Sequence, residues 1–127
     1  MDSDYVEEFY PPFNSHFKAC LKNFRHTFEE DFGRLRKVVL IERESASCTD
    51  KIANLGSEVS LPVYKIHMHV KQASGKIGRV IFILDKPQKR IVYVDIYTKN
   101  KQSNHDSKWI REAYTWYVEY ISKVPPY

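Results

Sequence analysis

Cysteine is scarce in this sequence, and long apolar runs are missing. The two cysteines, Cys20 and Cys48, are not in a CxxC pair, so neither a disulfide framework nor a cysteine-built zinc site has support. The longest apolar runs, Val38 to Ile41 and Val80 to Leu84, are far shorter than the roughly 20 residues that a transmembrane helix needs. The chain also opens without a basic leader followed by an apolar segment. These absences predict a cytoplasmic protein with free thiols and no membrane partner.

The sequence does contain enough apolar material for one hydrophobic core. It has 127 residues, of which 43% are hydrophobic, and no internal repeat is visible. A chain of this length builds one core more readily than two. We therefore predict a single domain, residues 1–127, in which residues 1–12 form an acidic N-terminal extension.

The net charge of +4 is unevenly distributed along the chain. Residues 1–12 carry four acidic side chains and no basic one, which gives a net charge of −4. Residues 62–101 carry nine basic and two acidic side chains, which gives +7. Lysine and arginine contacts to phosphates are the usual basis of nucleic-acid binding, so this segment is a candidate for an anionic partner. The alternative interpretation is a solvated basic face.

Two amphipathic helices are predicted in the first third of the chain. Apolar residues recur at three- and four-residue spacing from Phe13 to Phe24, and again from Phe28 to Val39. Thr27 and Glu30 have the spacing of a capping box at the start of the second helix. Joined by so short a connection, the two helices would form a hairpin. Residues 45–61 have no clear period and are predicted to be a loop.

After Pro62 the apolar period changes to two, which indicates strands. One strand precedes a glycine-containing turn, a second runs from Arg79 to Leu84, and a third from Ile91 to Thr98. Helical spacing returns from Ile110 to Ile121. Three strands with short connections predict an antiparallel meander, and helices segregated from such a meander make an α+β domain.

The alternation also predicts which side chains share a face. The first strand has an apolar face and a basic face, formed respectively by Tyr64, Ile66, Met68 and Val70 and by Lys65, His67, His69 and Lys71. In the third strand, strict alternation separates Val92, Val94, Ile96 and Thr98 from Ile91, Tyr93, Asp95, Tyr97 and Lys99.

Three short signatures follow one another in this half of the chain: Tyr64-Lys65-Ile66, Arg79-Val80-Ile81-Phe82 ahead of Asp85, and Ile96-Tyr97-Thr98-Lys99-Asn100-Lys101. With the order of hairpin, loop, strands and final helix, they resemble the RelE/ParE superfamily of bacterial toxins, especially its RelE and HigB branch. The architectural resemblance covers residues 14–121. It implies an α+β fold in which an N-terminal helical hairpin packs on a small antiparallel β-sheet, followed by a C-terminal helix.

The function that the resemblance implies is that of a toxin of a type II toxin-antitoxin system. Such a toxin is a ribosome-dependent endoribonuclease that cleaves messenger RNA and is held inactive by a cognate antitoxin protein. Cleavage by the adjacent ribose hydroxyl needs a base, cations for the charged transition state and an acid for the leaving oxygen. That chemistry requires no metal and no cofactor.

The resemblance also implies the site residues. The catalytic candidates are Arg79, Lys65, His67, Lys99 and His105, and the RNA-binding candidates are Lys71, Lys76, Tyr97, Lys101 and His69. Arg79 is the strongest, because a guanidinium can bind two phosphate oxygens and keeps its charge at neutral pH. His67 stands where RelE-type sites have a lysine, and a histidine can serve as base or acid near pH 7. RelE-type sites also have a tyrosine or histidine late in the chain. Its counterpart here is His105 or, alternatively, Tyr97.

Several alternatives stay open at this point. The side chains of Lys65, His67 and His69 could form the solvent-exposed face of a strand. Alternatively, His67, His69 and His105 could bind a metal ion. The aromatic residues of the last helix could be core or part of an antitoxin groove. The function could be that of a gyrase-targeting ParE-like toxin or of a catalytically inactive binding module. The acidic extension could also fold over the basic sheet and mask it.

Overall fold

Five strands form one mixed sheet in the computed structural model, which describes residues 4–24 and 27–124. Three α-helices accompany this sheet in the described part of the chain. In chain order the elements are β1 (Val6–Phe9), α1 (Phe13–Phe24), α2 (Phe28–Glu42), β2 (Thr49–Lys51), β3 (Val63–Val70), β4 (Gly75–Asp85), β5 (Arg90–Thr98) and α3 (Ser107–Ser122). None of these helices is long and apolar enough to cross a membrane.

The strand order in the sheet is β1-β5-β4-β3-β2. Strands β3, β4 and β5 form the predicted antiparallel meander, and β2 extends it antiparallel to β3. At the other edge β1 runs parallel to β5, so the sheet is mixed rather than purely antiparallel. The α+β class, the helical hairpin and the C-terminal helix are confirmed. Strands β1 and β2 lie in segments that the sequence predicted to be an extension and a loop.

The helices cover opposite faces of the sheet. The hairpin of α1 and α2 packs on the face that presents Ile66, Met68 and Val80, whereas α3 packs on the face that presents Ile81 and Ile83. Each strand of the meander is therefore apolar on both faces along much of its length, which explains why β5 is buried throughout. Lys65 and His67 of β3 lie on the α3 face, beyond the part that α3 covers, because they alternate with Ile66 and Met68.

A β-bulge in β5 changes the faces that strict alternation predicted. Ile81 pairs with Asp95 but Phe82 pairs with Tyr93, so Val94 is the extra residue. Beyond it, Ile96 packs on the hairpin side, and Tyr97 packs on the α3 side together with Val94. The predicted grouping of Ile96 with Val94, and the placement of Tyr97 on the other face, were therefore wrong.

The described part of the acidic extension contains an edge strand, β1, which pairs with β5. Glu7 pairs with Arg36 at 2.6 Å, Glu8 pairs with Arg90, and Asp4 pairs with Lys89 at 2.5 Å. These contacts fix the extension beside β5 and α2. Asp4 and Glu8 thus pair with two basic residues of the segment 62–101 at the edge of the sheet, whereas no ion pair joins residues 4–10 to Lys65 or Arg79; Asp2 lies outside the described residues.

The start of α2 also differs from the prediction. Thr27 makes no capping hydrogen bond, and its hydroxyl instead donates to the side-chain oxygen of Gln72 at 3.3 Å. Helix α3 does have a side-chain cap, because Asp106 accepts from the backbone N–H of Trp109 at 3.1 Å. Both cysteines are free thiols, as predicted; Cys20 is buried and Cys48 is exposed.

Candidate functional site

Three predicted site residues form a row across the meander. His67 of β3 is paired with Arg79 of β4, and Arg79 is paired with Tyr97 of β5. Side chains directly opposite each other on one sheet face have Cβ atoms about 4.5–5.5 Å apart. Lys65 lies on the same face two residues before His67, and Lys99 follows Tyr97 at the same spacing. The row therefore places two lysines, an arginine and a histidine around one patch of the sheet.

The pKa shifts of Lys65 and His67 indicate that these charges lie close together. Partial burial is the main cause that lowers the pKa of Lys65, and the charges of Arg79 and Lys99 lower it further. Burial also lowers the pKa of His67, and Arg79, Lys65 and Lys99 add to that effect, whereas Asp50 opposes it. His67 is consequently a neutral imidazole at neutral pH, which is the form that accepts a proton.

Arg79 is fixed by the backbone of its own strand. Its Nη1 donates to the carbonyl oxygens of Lys76, at 2.6 Å, and Gly78, at 3.0 Å. Among the described residues no carboxylate forms an ion pair with it, and Nε and Nη2 contact no acceptor. A guanidinium held in this way keeps donors for an anion that approaches the row. A Cβ at Gly78 would lie 3.0 Å from Met68, so the close approach of β3 and β4 here requires glycine.

The loop between β5 and α3 brings His105 to the same patch. The ammonium of Lys65 donates to Oδ1 of Asn104 at 3.0 Å, and the same oxygen accepts from the backbone N–H of His105 at 2.9 Å. Burial, followed by the charge of Lys65, lowers the pKa of His105. Its Nδ1 is buried without a hydrogen-bond partner in the described residues. Asn104 therefore connects Lys65 to His105, a role that the sequence did not reveal.

The other basic candidates lie away from this patch. Strand β3 ends at Val70, so Lys71 begins a short 3₁₀ turn, and its backbone N–H donates to Asp31 of α2 at 3.1 Å. His69 is exposed beside a small cavity that α2 lines. The prediction of one continuous basic face from Lys65 to Lys71 was therefore wrong. Lys101 lies in the turn after β5 and is exposed.

Lys76 contacts a thiol. Its ammonium donates to Sγ of Cys48 at 3.2 Å, and this hydrogen bond is the main cause that lowers the pKa of Cys48. The carbonyl of Cys48 accepts from the backbone N–H of His67 at 3.0 Å, so this pair lies next to the row. Local sequence patterns cannot indicate this pair, because 28 residues separate its two members.

Tyr97 is buried, with 5% of its surface exposed, and belongs to the core beneath α3. Burial raises its pKa to about 12. Tyr97 is therefore a packing residue, and little of its ring is accessible for stacking an RNA base.

Two further findings concern metals and known proteins. Among residues 4–24 and 27–124, no three His, Cys, Asp or Glu side chains are grouped so that they could hold a metal ion. Comparison of the chain with family models, with curated proteins and with solved structures finds no match. The resemblance to RelE and HigB stays a prediction from the sequence.

Proposed function

We propose that this protein is a RelE-type messenger-RNA interferase, the endoribonuclease toxin of a type II toxin-antitoxin system. The observation that carries the proposal is the convergence of Lys65, His67, Arg79 and Lys99 on one face of the meander. Four groups that can be cationic around one patch favour a bound phosphate, because each contributes charge or hydrogen bonds to its oxygens.

In the proposed reaction the ribose 2′-hydroxyl attacks the neighbouring phosphorus. The neutral imidazole of His67 takes the hydroxyl proton, a bond forms between the 2′ oxygen and phosphorus, and the bond from phosphorus to the 5′ oxygen breaks. The products are a 2′,3′-cyclic phosphate and a 5′-hydroxyl. Arg79 and Lys99 stabilise the charge that develops on the non-bridging oxygens.

The leaving 5′ oxygen needs a proton, and two residues are candidates for the donor. Lys65 is favoured by its lowered pKa, because a weaker base is a stronger acid in its protonated form. His105 lies beside it, joined through Asn104, and is the alternative, but its own lowered pKa leaves less of it protonated at neutral pH. Alanine substitution of Lys65 and of His105, one at a time, distinguishes the two candidates. Only for the variant that lacks the true donor should a substrate with a better leaving group restore the cleavage rate.

The proposed setting is messenger RNA on the ribosome in the cytoplasm, with a cognate antitoxin protein as the inhibitory partner. The basic patch supports this setting through its charge, since both an RNA and an acidic antitoxin segment would be attracted to it.

The test is inducible expression in a bacterium followed by primer extension on an abundant messenger. The wild type is compared with Arg79→Ala and with Arg111→Ala, which removes the same charge from α3. We expect codon-registered cuts from the wild type and from Arg111→Ala, and about 100- to 1,000-fold slower cutting by Arg79→Ala, as for other single transition-state donors.

The other outcomes separate the remaining functions. Growth arrest without new 5′ ends would favour a gyrase-type target. Neither arrest nor cuts would favour an inactive binding module. Equal cutting by Arg79→Ala and the wild type would remove Arg79 from the site.

A further inference from the structure

A cavity of about 290 Å³ opens where the edge of β5 meets α1. Strand β1 pairs with β5 only from Arg90 to Tyr93, so in the described residues no strand covers the edge beyond Tyr93. Helix α1 and the turn after β5 enclose that edge instead, and the lining residues include Ala19, Asn23, Ile96, Lys101 and Gln102.

One wall of the cavity is a rigid histidine. Nδ1 of His16 lies 2.6 Å from Oδ1 of Asp95, a carboxylate that is fully buried. The imidazole also stacks on Trp109 of α3, with ring centroids 4.0 Å apart and an angle of 18° between the planes. Nδ1 of His16 faces Asp95, and Nε2 lies on the ring edge that Asp95 does not occupy.

The rest of the lining combines three kinds of surface. The amides of Asn23 and Gln102 provide donors and acceptors, and Gln102 is held by a 2.7 Å hydrogen bond from its Nε2 to the carbonyl of Asn104. Ala19 and Ile96 provide apolar surface. Lys101 provides a cation, and in the described part of the chain no carboxylate pairs with it.

The cavity adjoins the row of His67, Arg79 and Tyr97. Along β5 the two are neighbours, because Tyr97, the cross-strand partner of Arg79, packs on the α3 side and the adjacent Ile96 lines the cavity from the hairpin side. The Asn104 carbonyl that holds Gln102 belongs to the residue whose side chain accepts from Lys65. Asn104 therefore places a lining residue of the cavity one hydrogen-bonded residue away from Lys65.

We infer that this cavity is a nucleobase pocket that receives one base of the RNA next to the scissile phosphate. The inference rests on the proposed function. A nucleotide matches all three kinds of surface, because its base has a flat apolar body and hydrogen-bonding edges and its phosphate is anionic. The volume of about 290 Å³ lies just below the range of about 300–1,000 Å³ for small-molecule sites, which suits a ligand as small as one nucleotide.

The experiment titrates the protein with each of the four ribonucleoside 5′-monophosphates and, separately, with inorganic phosphate. Binding is followed through the side-chain amide resonances of Asn23 and Gln102. Ala19→Phe narrows the mouth of the cavity from an exposed position on α1, and Ala53→Phe makes the same change at an exposed alanine in the loop after β2. Circular dichroism verifies that both variants are folded.

The inference predicts that the chemical shifts of both side-chain amides change saturably with nucleotide concentration, and that these changes differ between the four bases. It also predicts that Ala19→Phe weakens the binding at least about tenfold, whereas Ala53→Phe does not. Three results would overturn the inference of a nucleobase pocket. They are unchanged amide resonances, the same resonance changes with inorganic phosphate as with the nucleotides, and equal nucleotide affinities of the two variants.

Primer extension tests the nuclease separately. Codon-registered cuts without base-dependent changes of the amide resonances would refute the nucleobase pocket but support the proposed nuclease function. Base-dependent shifts without cuts would refute the nuclease and retain a nucleotide site.

Discussion

Removal of the Tyr117 hydroxyl is the sharpest test of how α3 is held on the sheet. This hydroxyl donates a 2.7 Å hydrogen bond to Oδ2 of Asp85, the last residue of β4, and both side chains are buried. Burial and the hydrogen bond to Asp85 raise the pKa of Tyr117, so the phenol keeps its proton. In Tyr117→Phe the Asp85 oxygen stays buried without this donor. Loss of a partner from a buried, charged acceptor costs about 1.5–3 kcal/mol, and we expect the free energy of unfolding to fall by that amount.

The assay is urea denaturation followed by circular dichroism, with Tyr120→Phe as the matched control. The hydroxyl of Tyr120 donates to Glu8 at 3.1 Å, but Tyr120 is half-buried and Glu8 also pairs with Arg90. Tyr120→Phe should therefore cost less than about 1 kcal/mol. The dependence of unfolding free energy on urea should stay unchanged in both variants, since the same surface unfolds. Equal losses in the two variants would refute the argument that the buried Asp85 contact holds α3.

Two further predictions concern titration near the row of His67, Arg79 and Tyr97. The pKa of His67 lies below its ordinary value of 6.5, so its protonation as the pH falls below that value should destabilise the fold. In Arg79→Ala the pKa should rise, and an NMR titration of the imidazole that finds it unchanged would contradict the placement of Arg79. Iodoacetamide should modify the exposed Cys48 before Cys20, whose pKa burial raises to about 12, and mass spectrometry of the alkylated protein gives the order. Lys76→Ala should slow modification of Cys48, whereas an unchanged rate would exclude Lys76 as the group that stabilises its thiolate.

The elements that sequence reasoning predicted are those with strong local periodicity. The hairpin, the meander and α3 each repeat an apolar pattern over at least six residues, so their type could be read without knowledge of their neighbours. Strands β1 and β2 have four and three residues, too few for a period to be visible. Their strand conformation depends on pairing partners, and β1 pairs with residues more than 80 positions away.

The candidate site was predictable to the extent that it lies on the meander. Adjacent antiparallel strands with short connections bring Lys65, His67 and Arg79 together, and that follows from order and spacing alone. Asn104 and the pair of His16 and Asp95 could not be predicted in this way. Their contacts join a loop or α1 to the sheet over 39 and 79 residues, and only tertiary packing sets such contacts.

The bulge at Val94 connects the fold to the site. Strict alternation from Val92 would turn Tyr97 towards the hairpin, on the face opposite Arg79. The extra residue reverses the alternation, so Tyr97 lies beside Arg79 under the start of α3, and Ile96 fills the core on the hairpin side. Bulges are common next to functional sites because they redirect a side chain without ending the strand. The row of His67, Arg79 and Tyr97 therefore depends on this one residue.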